Sequence, residues 1–288
     1  MSIRAEPAYG PSALGGDGRR FLELTLTLAR TEFKLRYFGS VLGYLWSLVR
    51  PLMFFGVLYF VFTAIFQIGN SVPHYGVYLL TGIVLWTYLA EATSGCVQCL
   101  VQREALLRKV RFPRMVIPLS VSLTSMFNLG MNFIAVLVFA LADGITPRLS
   151  WLWLLPVVLG FAVLATGLGM LLSALFVRFR DINPIWDVMV QAWFYLSPVM
   201  YPASKYGLLA TKYGISAQSV QHIAMLNPAA VLLTQMGHGF IGGPKFPDAA
   251  FVAGSGVSVA IAIAIIPAVF ALGWWVFTRE APRVAENL

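Results

Sequence analysis

The chain has 288 residues, of which 59% are hydrophobic and 11% are charged, whereas soluble domains carry about 25% charged residues. This composition excludes an ordinary soluble domain and indicates an integral membrane protein. The formal net charge of +8 comes from basic residues in short clusters between apolar runs. That distribution suits lipid headgroups or a protein partner, and it argues against nucleic acid as a partner.

The stretch ahead of the first apolar run divides into two parts. Residues 1–20 are rich in glycine and lack the apolar core of a signal peptide, so we expect a flexible cytoplasmic tail. Residues 21–38 have one apolar and one polar helical stripe, which predicts an amphipathic helix in the inner membrane interface. The apolar stripe consists of Leu22, Leu26, Ala29, Phe33 and Tyr37, and the polar stripe of Glu23, Thr27, Arg30 and Lys34.

Six apolar segments follow, each with about the 20 residues needed to cross the hydrocarbon core of a bilayer. They run approximately over residues 43–68, 75–101, 115–142, 149–177, 183–201 and 249–277. The predicted fold class is therefore an all-α integral membrane protein, with six transmembrane helices in a domain covering residues 43–277.

The distribution of basic residues predicts the orientation of these spans. With the N-terminus inside, sixteen of the twenty Lys and Arg residues fall on the cytoplasmic side, as the positive-inside rule requires. The four on the other side are Arg148, Lys205, Lys212 and Lys245. Both termini, including the tail at residues 278–288, are thus expected in the cytoplasm.

The loop at residues 100–114 is the most basic connection. Glu104 and Arg108 have the i,i+4 spacing that supports a helix, and Pro113 ends that helix and favours an extended Phe112. We expect a short coupling helix with an aromatic tip that docks a cytoplasmic partner. The alternative is that these cations only set the topology. The loop's basic residues after Glu104 are Arg108, Lys109, Arg111 and Arg114.

The longest connection covers residues 202–248. The runs "GLLA" and "AAVLLTQM" are helical and apolar, but Pro228, Gly242, Gly243 and Pro244 interrupt them. We expect short helices that lie on or dip into the outer face, where protein or a water-filled cavity must surround any irregular backbone.

Sequence motifs for catalysis and cofactor binding are absent. There is no G-x-x-x-x-G-K-[ST] motif for a nucleotide, and the aspartates and histidines are scattered without metal-ligand spacing. Cys96 and Cys99 lie in an apolar run without the βαβ pattern of a redox motif. We therefore expect no metal, no cofactor and no catalytic site on this chain.

Two acids and one row of small residues stand out within the apolar segments. Glu91 and Asp187 are intramembrane acids, which usually have a functional partner, and Arg50, Arg178 and Arg180 are the candidates. Asp187 has an alternative role at the positive end of its helix. A small residue at every fourth position of the fourth span predicts close packing within the protomer; these are Ala165, Gly169 and Ser173.

Five motifs in order resemble those of one transporter family. They are "RTEFKLRYFGSVLGYLWSLVRPL" at residues 30–52, "LLRKVRFPRMVIPLS" at 106–120, "RFRDI" at 178–182, "SPVMYP" at 197–202 and "NPAA" at 227–230. Together they resemble the type 2 ABC exporter permeases, in particular the branch that exports O-antigen, capsule, teichoic acid and galactan. The resemblance covers nearly the whole chain.

The resemblance implies a half-transporter that forms a homodimer and binds two copies of a separate ATPase. ATP and Mg²⁺ would then be held by the ATPase. The residues implied in ATPase docking are Arg30, Lys34, Arg36, Arg108, Lys109, Arg111, Phe112, Pro113 and Arg114. An outer gate region is implied at residues 202–248 and just before it, with Ser197, Pro198, Pro202, Asn227 and Pro228.

Aromatic residues of the first and fifth spans are candidates for the lining of a translocation path. Sugar rings stack their C–H faces on aromatic rings, and weak multiple sites favour movement through a pore. The alternative is that these aromatics pack against lipid. They are Tyr44, Trp46, Phe55, Tyr59, Phe62, Phe66, Trp186, Trp193, Tyr195 and Tyr201.

The expected function is that of a permease subunit in the bacterial inner or plasma membrane. It would export a lipid-linked cell-envelope polysaccharide, with ATP hydrolysis on a separate subunit. Two alternatives remain open at this stage. One is a permease of the same fold that exports drugs or other small lipophilic molecules, and the other is a membrane-embedded glycosyl or phosphosugar transferase.

Overall fold

A computed structural model describes residues 18–38, 43, 45–67, 69–104, 113–207, 214 and 216–280. This part of the chain is helical and contains no β-strand, in agreement with the predicted all-α class. Its α-helices, in chain order, are α1 (Gly18–Tyr37), α2 (Leu45–Phe60), α3 (Tyr75–Val97), α4 (Cys99–Gln102), α5 (Val116–Ala142), α6 (Leu154–Arg178), α7 (Ile182–Leu196), α8 (Ala217–Ala224), α9 (Pro228–Met236), α10 (Ala249–Ala253) and α11 (Gly256–Glu280).

Five helical stretches of the described residues are long and apolar enough to cross a membrane. They are Leu45–Ile65, Tyr75–Val97, Val116–Ala142, Leu149–Arg178 and Gly256–Glu280. In the first, α2 continues as a π-helix over Val61–Ile65, and in the fourth a 3₁₀ turn over Leu149–Trp153 precedes α6.

The fifth predicted span, residues 183–201, is not one helix. The helix at this position, α7, has 15 residues and is therefore about 22 Å long at 1.5 Å per residue, less than the roughly 30 Å of a bilayer core. It ends at Leu196, and Ser197 has extended backbone. Hydropathy could not reveal this break, because residues 197–201 are as apolar as the helix before them.

The interior of the fold is organised around α3. This helix packs against α2, α5, α6 and α7, and 83% of its most apolar 18-residue window is buried, against 11% for the first span. Its mean hydropathy is nevertheless the lowest of the five spans, at 1.2. Because neighbouring helices surround α3, it can carry polar groups that lipid would not tolerate.

The helices α6 and α11 cross at close range. A Cβ atom on Gly273 would stand 2.1 Å from the carbonyl oxygen of Gly167, and one on Gly167 would stand 2.6 Å from the Cα of Phe270. Small residues at a crossing let two backbones approach, which is the main source of helix association in lipid. The predicted small-residue row packs on another side, where Gly169 faces Cys96 of α3 within the protomer.

Short capped elements cover one end of the bundle. Ser216, Asn227 and Asp248 precede α8, α9 and α10, and each side chain accepts a hydrogen bond from a backbone N–H of its helix, which satisfies donors that the first turn leaves free. Pro228 is the first residue of α9, a position where its missing N–H costs nothing. The short helices expected at residues 202–248 are thus present in the described part of that range.

The opposite end of the bundle is covered by α1, which begins at Gly18, three residues before its predicted start. Thr25 and Ala29 are buried, and the helix packs mainly on α5. The predicted apolar stripe is divided: Ala29, Phe33 and Tyr37 lie toward the bundle, but Leu22 and Leu26 are exposed. The exposed leucines give α1 a second apolar surface that suits a membrane interface.

Candidate functional site

The end of α1 is tied to the bundle by ion pairs and hydrogen bonds. Arg103 donates to the Glu32 carboxylate at 2.5 Å, and Arg36 lies 3.6 Å from the carboxylate of Glu91 in α3. The Tyr37 hydroxyl donates to the Asn128 Oδ1 of α5 at 2.8 Å. These bonds join α1 to the C-terminal part of α3, to the segment after α4 and to the middle of α5. A shift of α1 would therefore act on all of them.

The Glu32–Arg103 pair is partly desolvated, with about a fifth of each side chain exposed. Burial raises the pKa of the Glu32 carboxyl, while the positive charges of Arg103 and Arg36 oppose that rise. Burial therefore outweighs the attraction, which is the usual balance for buried ion pairs. The pair contributes more to the position of α1 than to overall stability.

A cavity of about 740 Å³ lies where α1, α2 and α3 meet. Its size falls within the roughly 300–1,000 Å³ of typical ligand sites. Each of the three helices contributes polar side chains to it. The lining consists of Arg36, Tyr37, Trp46, Ser47, Arg50, Pro51, Thr87, Glu91, Ser94 and Gly95.

The α3 wall of this cavity is a polar stripe at helical spacing. Thr87, Glu91 and Ser94 lie on one face of α3, and they are partly exposed whereas most of the helix is buried. Asn128 donates to the Glu91 carboxylate at 3.0 Å. The part of α3 that its neighbours leave uncovered therefore carries three polar side chains, and all three line the cavity.

The cavity has an excess of positive charge. Among the described residues that line it, Arg36 and Arg50 supply two guanidinium groups and Glu91 supplies one carboxylate. Arg36 is engaged with Glu91, but Arg50 is exposed, and its guanidinium has no hydrogen bond or ion pair to another described residue. The N–H groups of such a guanidinium remain available to donate two parallel hydrogen bonds to a carboxylate or a phosphate.

The predicted partners of Glu91 were wrong. Arg36 of α1 is the basic residue beside Glu91, and neither Arg50, Arg178 nor Arg180 is. Arg178 and Arg180 stack on the rings of Phe179 and Phe176 instead. The prediction failed because α1 folds back over the bundle and brings its last turn against α3, which spacing along the chain does not reveal.

The other intramembrane acid lies in the second turn of α7 rather than at its start. Asp187 accepts a hydrogen bond from Asn183 at 3.4 Å, one turn earlier in the helix. The residue immediately before α7 is Asp181, and its side chain makes no capping bond.

The residues implied in ATPase docking fall into three groups. Arg30 and Lys34 are exposed on α1, and Arg36 is in the cavity. Pro113 is partly exposed, and Arg114 is buried, with an Nη1 atom that has no hydrogen-bond partner within the described residues; burial lowers the pKa of its guanidinium. Outside the described residues lie Arg108, Lys109, Arg111 and Phe112.

Three of the five residues implied in the outer gate, Ser197, Pro198 and Asn227, take part in hydrogen bonds that tie the segment after α7 to α3 and α9. Asn227 Oδ1 accepts from the Trp193 indole at 2.9 Å and from the backbone N–H of Ala229, and its Nδ2 donates to Ser197 Oγ at 3.0 Å. Tyr78 donates to the carbonyl of Pro198. The irregular backbone after α7 is thereby satisfied internally, as a membrane setting requires.

Two further tyrosine hydroxyls donate hydrogen bonds to backbone carbonyls in and next to the segment after α7. The Tyr75 hydroxyl donates to the carbonyl of Met200 at 2.7 Å, and Pro202 has extended backbone before a 3₁₀ turn over Ala203–Tyr206. Burial raises the pKa of the Tyr206 hydroxyl, which donates to the carbonyl of Leu196 at 2.7 Å.

The aromatic residues predicted to line a path occupy different environments. Phe55 is buried against Phe139, and Trp186 is buried and donates to Thr93 at 3.1 Å. The partly exposed ones are Phe62, Trp193 and Tyr201, and the exposed ones are Trp46, Tyr59, Phe66 and Tyr195. Tyr44 lies outside the described residues. The two helices meet through aromatic rings, because the ring centroids of Phe54 in α2 and Phe194 in α7 are 5.9 Å apart.

Three residues of this site did not emerge from the sequence. Asn128 holds Glu91 and Tyr37, and Glu32 and Arg103 fasten α1. A buried asparagine in a 27-residue apolar helix is a signal that could have been used, since polar groups inside membrane spans usually have partners. Over the described ranges, no group of three His, Cys, Asp or Glu side chains is placed to hold a metal ion.

The chain matches the family model for the ABC-2 type transporter over residues 23–234. It is 31% identical over 184 residues to an O-antigen export system permease protein RfbA of Klebsiella pneumoniae, covering 62% of this chain and 69% of the relative. It is 32% identical over 213 residues to an RfbA permease of Myxococcus xanthus, covering 73% and 77%.

The helical bundle and the family match together define the membrane subunit of a transporter. The chain belongs to the ABC-2 type transporter family. It is thus a multi-pass membrane protein and a transporter subunit rather than an enzyme, and membership of this family implies an ABC ATPase as its partner.

Proposed function

We propose that this chain is the permease subunit of an ATP-driven exporter that moves a lipid-linked cell-envelope polysaccharide out of the cytoplasm across the inner or plasma membrane. The observation that carries the proposal is the match, over most of the chain, to permeases named for O-antigen export. The polar cavity beside α1 supports it, because arginines, hydroxyls and Trp46 suit an anionic sugar compound better than an apolar cargo.

The active unit in this proposal is a homodimer that binds two copies of the ATPase on its cytoplasmic face, with both termini on that face. The exposed apolar surface of α2 supports a protein partner in the membrane, since Met53, Val57 and Phe60 are all more than 60% exposed. The basic residues of α1 and of the 100–114 loop support docking of a cytoplasmic protein.

The bonds of α1 supply a route for coupling. An ATP-bound ATPase can shift the permease only if it binds two permease states with different affinities. A pull on α1 or on the 100–114 loop would act on α3 through Glu32–Arg103 and Arg36–Glu91. At its other end α3 holds the segment after α7 through Tyr75 and Tyr78, so one rigid helix links both faces.

A lipophilic small molecule is the second candidate cargo. A groove of about 660 Å³ between α6, α9 and α11 has almost wholly apolar walls, with Gln235, His238 and Asp248 at one end. This groove suits an acyl chain or a lipophilic drug, and it is separate from the polar cavity.

Transport by the reconstituted complex would test the proposal. The permease and its ATPase would be placed in vesicles with a lipid-linked polysaccharide or a lipophilic dye on the ATPase side. We expect ATP-dependent appearance of the polysaccharide in the lumen, and none with a permease whose Arg108, Lys109 and Arg111 are all changed to glutamate. Transport of the dye alone would establish the second cargo, and polysaccharide movement without the ATPase would contradict the proposal.

A further inference from the structure

We propose that the cavity between α1, α2 and α3 binds the phosphate ester at the head of a lipid-linked substrate, with Arg50 as its main ligand and Arg36 as the second. This inference rests on the proposed function and adds the chemical group that the cavity recognises. It also assigns a role to Glu91, which would compete with the phosphate for Arg36.

The positions of the polar groups argue for a ligand rather than for packing. Trp46, Ser47 and Arg50 lie on one side of the first two turns of α2 and face the Thr87, Glu91 and Ser94 stripe of α3 across the cavity. Polar stripes on two apolar helices are costly in lipid unless they line a hydrated site. Here the two stripes enclose the same space.

The charge argues for an anion. One guanidinium in the cavity is balanced by Glu91, and Arg50 has no partner among the residues described. Guanidinium groups bind phosphate oxygens through two parallel N–H bonds, and the two arginines would together bridge a diphosphate. The hydroxyls of Ser94 and Thr87 add donors to the same wall.

The surroundings argue for the head of a lipid. The cavity lies at the α1 end of the bundle, and the exposed Leu45 and Trp46 stand at the start of α2 beside it. Exposed apolar residues next to a cationic pocket let an acyl or isoprenyl chain remain in the bilayer while its phosphate enters the protein. A soluble sugar phosphate would not need that apolar approach.

Phosphate esters at this site could come from two sources, the lipid-linked glycan or an anionic phospholipid. Binding of a radiolabelled isoprenyl diphosphate carrying one hexose would be measured on the intact permease and ATPase complex in phosphatidylcholine nanodiscs. Competitors would be the unlabelled probe, an uncharged isoprenyl glycoside, and phosphatidylglycerol in place of part of the nanodisc lipid. If phosphatidylglycerol competes, the cavity binds the phosphate of bulk phospholipid, which would contradict the inference. If it does not compete, the cavity binds the phosphate of the glycan carrier.

Arg50→Gln should weaken binding of the diphosphate probe by about tenfold or more, without affecting the uncharged glycoside. Glu91→Gln should strengthen binding, because Arg36 then loses its competing carboxylate while Asn128 can still donate to the glutamine oxygen. If Glu91 only stabilised the fold, Glu91→Gln would weaken binding of the diphosphate probe. Arg279→Gln is the matched control, since Arg279 is an exposed arginine stacked on Trp275 at the end of α11, and it should bind the probe as wild type does.

Unchanged diphosphate binding in Arg50→Gln would overturn the inference, as would weaker binding in Glu91→Gln. Failure of the proposed function gives a different pattern, in which the wild-type complex binds the diphosphate through Arg50 but moves no polysaccharide. Arg50 makes no bond to the described part of the fold, so its replacement tests ligand binding rather than folding.

Discussion

At the scale of single residues, four charged side chains position α1 on the bundle. Glu32, Arg36, Glu91 and Arg103 form two ion pairs between α1 and the α3 end of the bundle. The Glu32–Arg103 pair is the less exposed of the two, so removing one of its partners leaves an incompletely solvated charge, whereas Arg36 is exposed. The charges therefore act in pairs, and single substitutions should be more harmful than double ones.

The Glu32–Arg103 pair gives a quantitative prediction at this scale. Glu32→Gln should lower the free energy of unfolding by about 1–3 kcal/mol, because the partly buried guanidinium of Arg103 loses its counter-charge. Adding Leu in place of Arg103 to that variant should recover part of the loss. Thermal unfolding of the purified permease in detergent would measure the double-mutant cycle. Strictly additive losses would show that the two side chains do not interact.

At the scale of helices, glycine residues allow the backbones of α6 and α11 to approach each other closely. The α6–α11 crossing has no room for a Cβ atom on Gly273, which would meet the Gly167 carbonyl oxygen at 2.1 Å. A backbone contact cannot be relieved by a side-chain rotation. The two helices would have to separate, with loss of the dispersion contacts that hold them together in lipid.

Gly273→Ala should therefore destabilise the permease by about 1–3 kcal/mol and reduce its yield in the membrane. Gly130→Ala in α5 is the control, because no heavy atom lies within 4 Å of a Cβ at that position and alanine favours a helix over glycine. The midpoints of thermal unfolding of the two variants would be compared in the same detergent. A Gly273→Ala variant as stable as Gly130→Ala would disprove the crossing.

The sequence predicted helices well and their contacts poorly, for a physical reason. Hydropathy indicated five of the spans because transfer to lipid depends on composition alone. It missed the end of α7 at Leu196, where a tyrosine and asparagine network stabilises irregular backbone. Gly167 and Gly273 are 106 positions apart, and Arg36 and Glu91 are 55 apart, so only the folded arrangement shows that they meet.

Part of the candidate site was nevertheless accessible from the sequence. Glu91 was identified as an acid that needs a partner, since a charge inside a span is costly. The identity of that partner depends on the path of α1. Ser197 and Asn227 were grouped by resemblance alone, and their hydrogen bond supplies the physical reason for the grouping.

At the scale of the whole molecule, the two faces differ in construction. The α1 face carries the Glu32–Arg103 and Arg36–Glu91 pairs, the cavity and the exposed basic residues of α1. The other face consists of short capped helices and the hydrogen-bonded segment after α7. This asymmetry suits a protein that receives force on one face and opens on the other. It gives the proposed orientation a simple test.

Single cysteines would report which face is outside. Cys96 and Cys99 are both buried, so the native thiols should give little background. Ser204→Cys, at an exposed position after α7, should react in intact cells with a membrane-impermeant maleimide. Lys34→Cys, exposed on α1, should react only after the membrane is opened, and the reverse pattern would invert the topology.

The central position of α3 also has a consequence for the insertion of the protein into the membrane during its synthesis. The span with the lowest mean hydropathy is the one most enclosed by its neighbours, and three of these, α5, α6 and α7, are synthesised after it. During translation α3 is therefore poorly held by lipid until the later helices emerge and enclose it. A nascent chain stalled before α5 is complete would be an obvious target for membrane quality control.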